Sequence, residues 1–226
     1  QSGLSATAVF LFDTLDGTIS AWAPTVNATS AVVVASQPGA FYTGLAIGQS
    51  NGDNFLYAAD NANNRVDVYD SNFKLVNSVT DSKLPAGSNP YNVQNIGGDL
   101  YVTFTNSTGG GVVDMFDTGG RFKKTFATGG TLKAPWGIAK SPSNFGVAGN
   151  AILVGNLADG RINIYSSGNG RFQGQLKDAT GKIISIDELW GLTFGGGNAK
   201  NGKTNQLFFT AGPDDYVNGL FGVIAQ

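Results

Sequence analysis

Along this chain apolar and polar positions alternate with a period of two, over and over. "RVDVYD" (Arg65–Asp70), "VVDMFD" (Val112–Asp117) and "RINIYS" (Arg161–Ser166) all have it. Between them lie short, nearly continuous apolar runs: "FLYAAD" at Phe55, "LYVTF" at Leu100, "ILVGN" at Ile152 and "LFFTAG" at Leu207. Alternation predicts half-buried strands, and short apolar runs bounded by turn residues predict strands buried on both faces. The punctuation agrees: "DSNFKLV", "DTGGRFKKTF" and "SSGNGRFQGQL" pass through Gly, Asn, Asp and Ser into phenylalanine. Those residues tolerate the positive φ that tight hairpins require.

The strands recur as a set. "YTGLAIG" at Tyr42, "PYNVQNI" at Pro90, "PWGIAKS" at Pro135 and "LWGLTFG" at Leu189 open four units; aligning Gly44, Asn92, Gly137 and Gly191 gives spacings of 48, 45 and 54 residues. Four antiparallel strands per repeat at this period predict an all-β fold, a β-propeller, each unit one blade. A blade has two apolar faces and buries them only against its neighbours. The units fall at about 7–40, 41–88, 89–133, 134–187 and 188–226 of a single domain, 1–226. By alignment of Trp22 with Tyr69, the first unit holds the second, third and fourth strands of a blade; the last unit, with "GLFGVI" at Gly219, holds the first three. The expectation is therefore about four and a half blades, with missing strands supplied by an N-terminal segment or another copy.

Composition narrows the chemistry. Charged residues make up 13% of the chain, about half the usual share, while Gly reaches 33 residues. A net charge of −2 with pI near 4.9 argues against a nucleic-acid footprint. The longest aliphatic run, "AVVVA" at Ala31, is far too short to span a membrane. There is no Cys and no His. This excludes Ser-His-Asp and Cys-His nucleophiles and ordinary zinc sites, leaving carboxylates, Lys, Tyr or an oxygen-ligated cation for any catalysis.

Several strings together resemble an uncharacterised secreted group of NHL-like β-propellers, with bacterial PEP-CTERM-associated members and fungal and plant relatives. They include "DGTISAW" (Asp16–Trp22), "LYAADNANNRVDVYD" (Leu56–Asp70), "LPAGSNPYNVQNIGGDLYVTF" (Leu84–Phe104), "APWGIAKSPSNFG" (Ala134–Gly146) and "LVGNLADGRINIY" (Leu153–Tyr165). The resemblance implies a six-bladed protein when complete, of which this chain is the C-terminal three quarters, and a secreted, extracellular location. The group has no assigned activity, so no mechanism follows.

Two constellations could carry function. The residue before the aligned glycine is aromatic in three blades: Tyr91, Trp136 and Trp190, with Thr43 in the fourth. Such rings at a channel mouth can stack on a sugar or another flat ligand, or fill the channel. Asp13, Asp60 and Asn156 align at the end of the second strand, where they could hold Ca²⁺ or Mg²⁺ or cap turns. Asp187-Glu188 and Asp214-Asp215 read as solvated loop carboxylates. Asn27 and Asn106 head glycosylation sequons that would be used in a eukaryotic secretory setting. The first functional reading is a non-enzymatic binding or structural module for a glycan, protein or matrix partner, with no cofactor. The alternative is a divalent-metal-dependent hydrolase or lactonase with its cation on the axis.

Overall fold

The computed structural model describes residues 5–225; residues 1–4 and Gln226 of the expected domain lie outside the described residues. Among these residues eighteen strands form five antiparallel sheets of three, four, four, four and three strands, each strand pairing within its sheet with the next in sequence. The first sheet holds β1 (Phe10–Asp13), β2 (Thr18–Trp22) and β3 (Val32–Ser36), the second β4 (Tyr42–Ser50), β5 (Asp53–Asp60), β6 (Arg65–Tyr69) and β7 (Leu75–Val79). The third has β8 (Asn89–Ile96), β9 (Asp99–Thr105), β10 (Gly111–Asp117) and β11 (Phe122–Thr128), and the fourth β12 (Pro135–Lys140), β13 (Ala151–Asn156), β14 (Ile162–Ser166) and β15 (Phe172–Gln175). The fifth has β16 (Leu189–Phe194), β17 (Gln206–Ala211) and β18 (Leu220–Ala225). The first strands of neighbouring sheets, β1, β4, β8, β12 and β16, stand side by side around a central channel. This is a β-propeller.

The blade count corrects the expectation of about four and a half blades, six when complete: five blades are built. The reason is physical. Three strands with apolar faces form a sheet that packs on its neighbour as a blade does, so a unit short of a strand still counts as one.

Four cores hold the blades together, each between consecutive sheets. Ile19, Tyr42, Leu56, Ala58 and Tyr69 join the first to the second; Val66, Val68, Val93, Val102, Phe104 and Phe116 join the second to the third. Tyr101, Val113, Phe126, Ile152 and Tyr165 join the third to the fourth, and Leu153, Ile162, Leu189, Leu192 and Leu207 join the fourth to the fifth. Large side chains such as Phe104 and Phe116 are fully buried there, each worth about 1.5–3 kcal/mol of transfer free energy. Among the described residues no fifth core joins the last sheet to the first. Phe10 is 57% exposed, Phe12 48% and Phe221 70%.

One carboxylate recurs in these interfaces. Asp67 on β6 is fully buried and well served: Tyr42 Oη donates to Oδ2 at 2.8 Å, Ser78 Oγ to Oδ1 at 2.8 Å, and Arg65 Nε pairs with Oδ1 at 2.7 Å. The corresponding Asp114 on β10 has Val112 where Asp67 has Arg65. It too is fully buried, and neither carboxylate oxygen has a hydrogen-bonding partner in the structure. Burial, opposed by nearby Thr125 and reinforced by Asp81, pushes its pKa from 3.8 up to about 6.

The folded state therefore binds a proton that the unfolded chain releases between about pH 4 and pH 6. The stability that Asp114 contributes is highest below that window, falls through it, and carries the full penalty above it. Asp114→Asn is expected to stabilise the protein at pH 7.5 by on the order of 2–3 kcal/mol, and to have little effect at pH 4. Urea unfolding of both proteins at the two pH values checks this; an equal effect at both pH values would contradict it.

Candidate functional site at the channel mouth

Each complete inner strand breaks register near its start, and always at the same place. Pairing slips between Tyr42 and Leu45 in β4, Pro90 and Asn92 in β8, Pro135 and Ile138 in β12, and Leu189 and Leu192 in β16. A bulge bends the strand and re-aims a side chain. The residues caught in these bulges are Thr43, Tyr91, Trp136 and Trp190.

The aligned glycines belong to the same device. A Cβ on Gly137 would collide with Trp190 O of the next inner strand, and one on Gly44 with Asn92 Oδ1. Asn92, the one departure from glycine, is 5% exposed, and its Nδ2 donates to Trp136 O at 2.9 Å, tying β8 to β12. Close approach of neighbouring backbones thus selects glycine here.

The bulged side chains meet. Trp190 lies at the centre, edge-on to Trp136 with ring centroids 5.2 Å apart, 6.0 Å from Tyr91 and 5.9 Å from Tyr216. Trp136 Nε1 donates across the channel to Thr43 O at 2.9 Å. All four residues singled out from the sequence are therefore in one cluster, partly buried. Beside it a cavity of about 360 Å³ is lined by Asp13, Thr14, Leu15, Tyr42, Thr43 and Trp190.

Tyr216 carried no sequence signal of its own. It comes from the β17–β18 hairpin, which has eight residues where the corresponding turns of the second, third and fourth sheets have four or five. Asp214, Asp215 and Tyr216 take φ of 63°, 54° and 62°, a left-handed run that costs non-glycine residues about 1–2 kcal/mol each. The turn is held from below: Glu188 Oε2 accepts from Tyr216 N at 2.9 Å, Glu188 O from Gly212 N at 3.1 Å, and Asn218 Nδ2 donates to Asp214 Oδ2 at 2.6 Å. The two carboxylate pairs read as solvated thus include residues that fasten the loop. Burial pushes the hydroxyl pKa of Tyr91 up, as does Tyr216 beside it; that of Tyr216 is raised by burial, then by Glu188 and Asp215.

Asp60 and Asn156 do a different job from the one a metal site needs. Asp60 Oδ1 accepts from Phe41 N at 3.1 Å, and Oδ2 from Asn63 Nδ2 at 2.7 Å. Asn156 Oδ1 accepts from Lys133 N at 3.1 Å, while its Nδ2 donates to Thr131 O and Asp159 Oδ1. Each fastens the chain entering its own blade. Asp13 differs: its Oδ2 is buried without a partner, and burial raises its pKa against the opposing pull of its own amide and that of Gly44. Among the described residues no group of three or more carboxylates is placed to hold a metal ion. Asn27 is exposed and Asn106 half-buried; their Oδ1 atoms cap turns at Thr29 N, Ser30 N, Thr108 N and Gly110 N.

No family model matches the chain. It is 34% identical over 207 residues to the uncharacterised protein R640 of Acanthamoeba polyphaga mimivirus, covering 83% of this chain and 38% of that protein. It is 30% identical to R648 of the same virus, covering 99% and 58%. The chain thus spans between about two fifths and three fifths of the length of these relatives. Among solved structures it is similar to a chain of a nidogen/laminin complex (TM-score 0.60, 15% identity, 89% of this chain and 71% of that one). It is also similar to a gluconolactonase of Xanthomonas campestris (TM-score 0.56, 13% identity, 94% and 80%). At these identities the likeness shows the β-propeller fold.

Trp136→Phe keeps a ring in the cluster but removes the N–H that reaches Thr43 O, leaving that acceptor unmet. The expected cost is about 1 kcal/mol, read as a fall in melting temperature of about 2–4 °C. An unchanged melting temperature would show that the cross-channel bond contributes nothing.

Proposed function

We propose that the chain is a non-enzymatic binding module that receives the flat face of a saccharide ring at its channel mouth. The observation that carries this reading is the contact of Trp190 with Trp136, Tyr91 and Tyr216 at the edge of a cavity. A sugar ring offers an apolar C–H face and a rim of hydroxyls. Aromatic faces match the first, and the carboxylate of Asp13 and the hydroxyls of Thr14 and Thr43 around the same cavity match the second. A protein or matrix partner bearing such a glycan would be held in the same way. An extracellular setting belongs to this proposal and is supported by the resemblance to a secreted propeller group.

Fold likeness does not choose between binding and catalysis, since similar structures include both a nidogen/laminin complex and a gluconolactonase. The side chains favour binding. A hydrolase holding its cation between Asp13, Asp60 and Asn156 would have to free Asp60 and Asn156 from the backbone amides that they cap.

Titration with a panel of oligosaccharides, followed by tryptophan fluorescence, tests the proposal. At least one saccharide is expected to perturb the emission saturably, and Trp190→Ala to weaken its binding by about tenfold, the scale of one lost stacking contact. Absence of any saturable change across the panel, or equal binding by Trp190→Ala, would refute it.

A further inference from the structure

Carboxylates gather beside the ring cluster of the mouth without a cation to match them. Glu188 stands just ahead of β16, two residues from Trp190, and its Oε2 lies 2.9 Å from the amide of Tyr216. Asp214 and Asp215 adjoin Tyr216 in the β17–β18 hairpin, residues 212–219, which contains no lysine or arginine. Among the described residues none of these three carboxylates is in an ion pair, and no cation lies over a ring of the cluster.

Two of the three have structural work, Glu188 at Tyr216 N and Asp214 at Asn218 Nδ2. Asp215 has none of that kind. It is exposed, at φ 54°, where glycine or asparagine would follow the same turn at lower cost, so the backbone does not call for an acid there. Its charge acts on the ring instead: with Glu188 it holds the Tyr216 hydroxyl above the usual range, after burial.

The rings are electron-rich on their faces and attract a cation within about 6 Å, and a neighbouring carboxylate adds to that pull. Trp136, Tyr91 and Tyr216 are inclined to Trp190 by 77°, 44° and 57°. The cluster therefore turns ring faces in several directions, and a ligand that covers one with a flat ring can bring a charged substituent to another. Resting on the saccharide reading above, we propose that the ligand is an amino sugar with a free ammonium group, its ring on Trp190 and its ammonium at Tyr216, Asp215 and Glu188. A neutral sugar loses the charged contact, and an acidic one is repelled.

A β-linked glucosamine trimer and its N-acetylated counterpart share ring, linkage and length but differ in charge. At about pH 5.5 the amines are protonated and ordinary carboxylates ionised. Calorimetric titration of the protein there is expected to show the glucosamine trimer bound about tenfold more tightly, the scale of an exposed cation–π contact joined to a carboxylate. Asp215→Asn keeps a side chain suited to positive φ; it should cut the preference about threefold, through the glucosamine trimer alone. Raising NaCl from about 50 mM to about 500 mM should cut it likewise, since exposed charges are screened. Equal affinity for the two trimers would overturn the charge assignment and leave the saccharide site standing, as would a preference indifferent to both Asp215→Asn and salt. Equal weakening of both trimers by Asp215→Asn would overturn it too, by making Asp215 a support of the hairpin and not a partner of the ammonium. If neither trimer binds, the amino-sugar assignment falls while any neutral saccharide of the panel still binds, and the saccharide reading falls with it if none does.

Discussion

Inner strands that converge on one axis approach more closely than side chains allow. At Gly44 and Gly137 a Cβ would run into an atom of the next inner strand, and at Gly191 into Thr210 Oγ1 of its own sheet, and the sequence answers with glycine. Where it does not, Asn92 turns its amide into a bond with the next strand at Trp136 O. The bulge at this step in β4, β8, β12 and β16 follows from the same crowding, since a strand that must bend towards the axis sheds its register there. The residue before the glycine is thereby turned out of the ladder. Packing and presentation share a cause: the geometry that lets four complete inner strands approach also gathers Trp136, Trp190 and Tyr91 at the mouth.

Much of this was legible in the sequence, for reasons that can be named. Period-two runs become strands wherever both flanks carry turn chemistry, so "RVDVYD" opens on β6 and "VVDMFD" falls in β10. The aligned glycines mark register because only a backbone constraint repeats so regularly. The number of blades was not legible, since strand arithmetic treats an end unit as a fraction while packing treats three strands as a sheet. Nor was the work of Asp60 and Asn156. A strand-end carboxylate or amide reads alike whether it meets a cation or an N–H, and only the placement of Phe41 N and Lys133 N decides.

The interface carboxylates show how far equivalent positions drift once each has its own neighbours. Asp67 is neutralised by Arg65 and bonded to Tyr42 and Ser78. Asn163, at the same place in β14, needs no counter-ion and bonds to Asn156 and Gln175. Asp114 keeps the acid, but Val112 stands where the arginine would be, so a buried carboxylate lies between two blades with no arginine beside it. A repeat fold tolerates this because each interface is stabilised separately, and the apolar contacts around Phe104 and Phe116 offset a local penalty.

The same reasoning locates function. Short rim hairpins of four or five residues have few donors and acceptors to spare, so their polar side chains go into holding the turn, as those of Asp60, Asn106 and Asn156 do. Polar and aromatic groups become free for a ligand only where the repeat departs from itself. Two such places lie among the described residues. The eight-residue hairpin of the last sheet lays an exposed Tyr216 on Trp190, strained backbone and all. The inner edge of the first sheet leaves Asp13 facing the cavity with an oxygen unbonded. Asp13 and Trp190 line one and the same cavity at the mouth, so the two irregularities of an otherwise regular chain meet where the aromatic cluster opens to solvent.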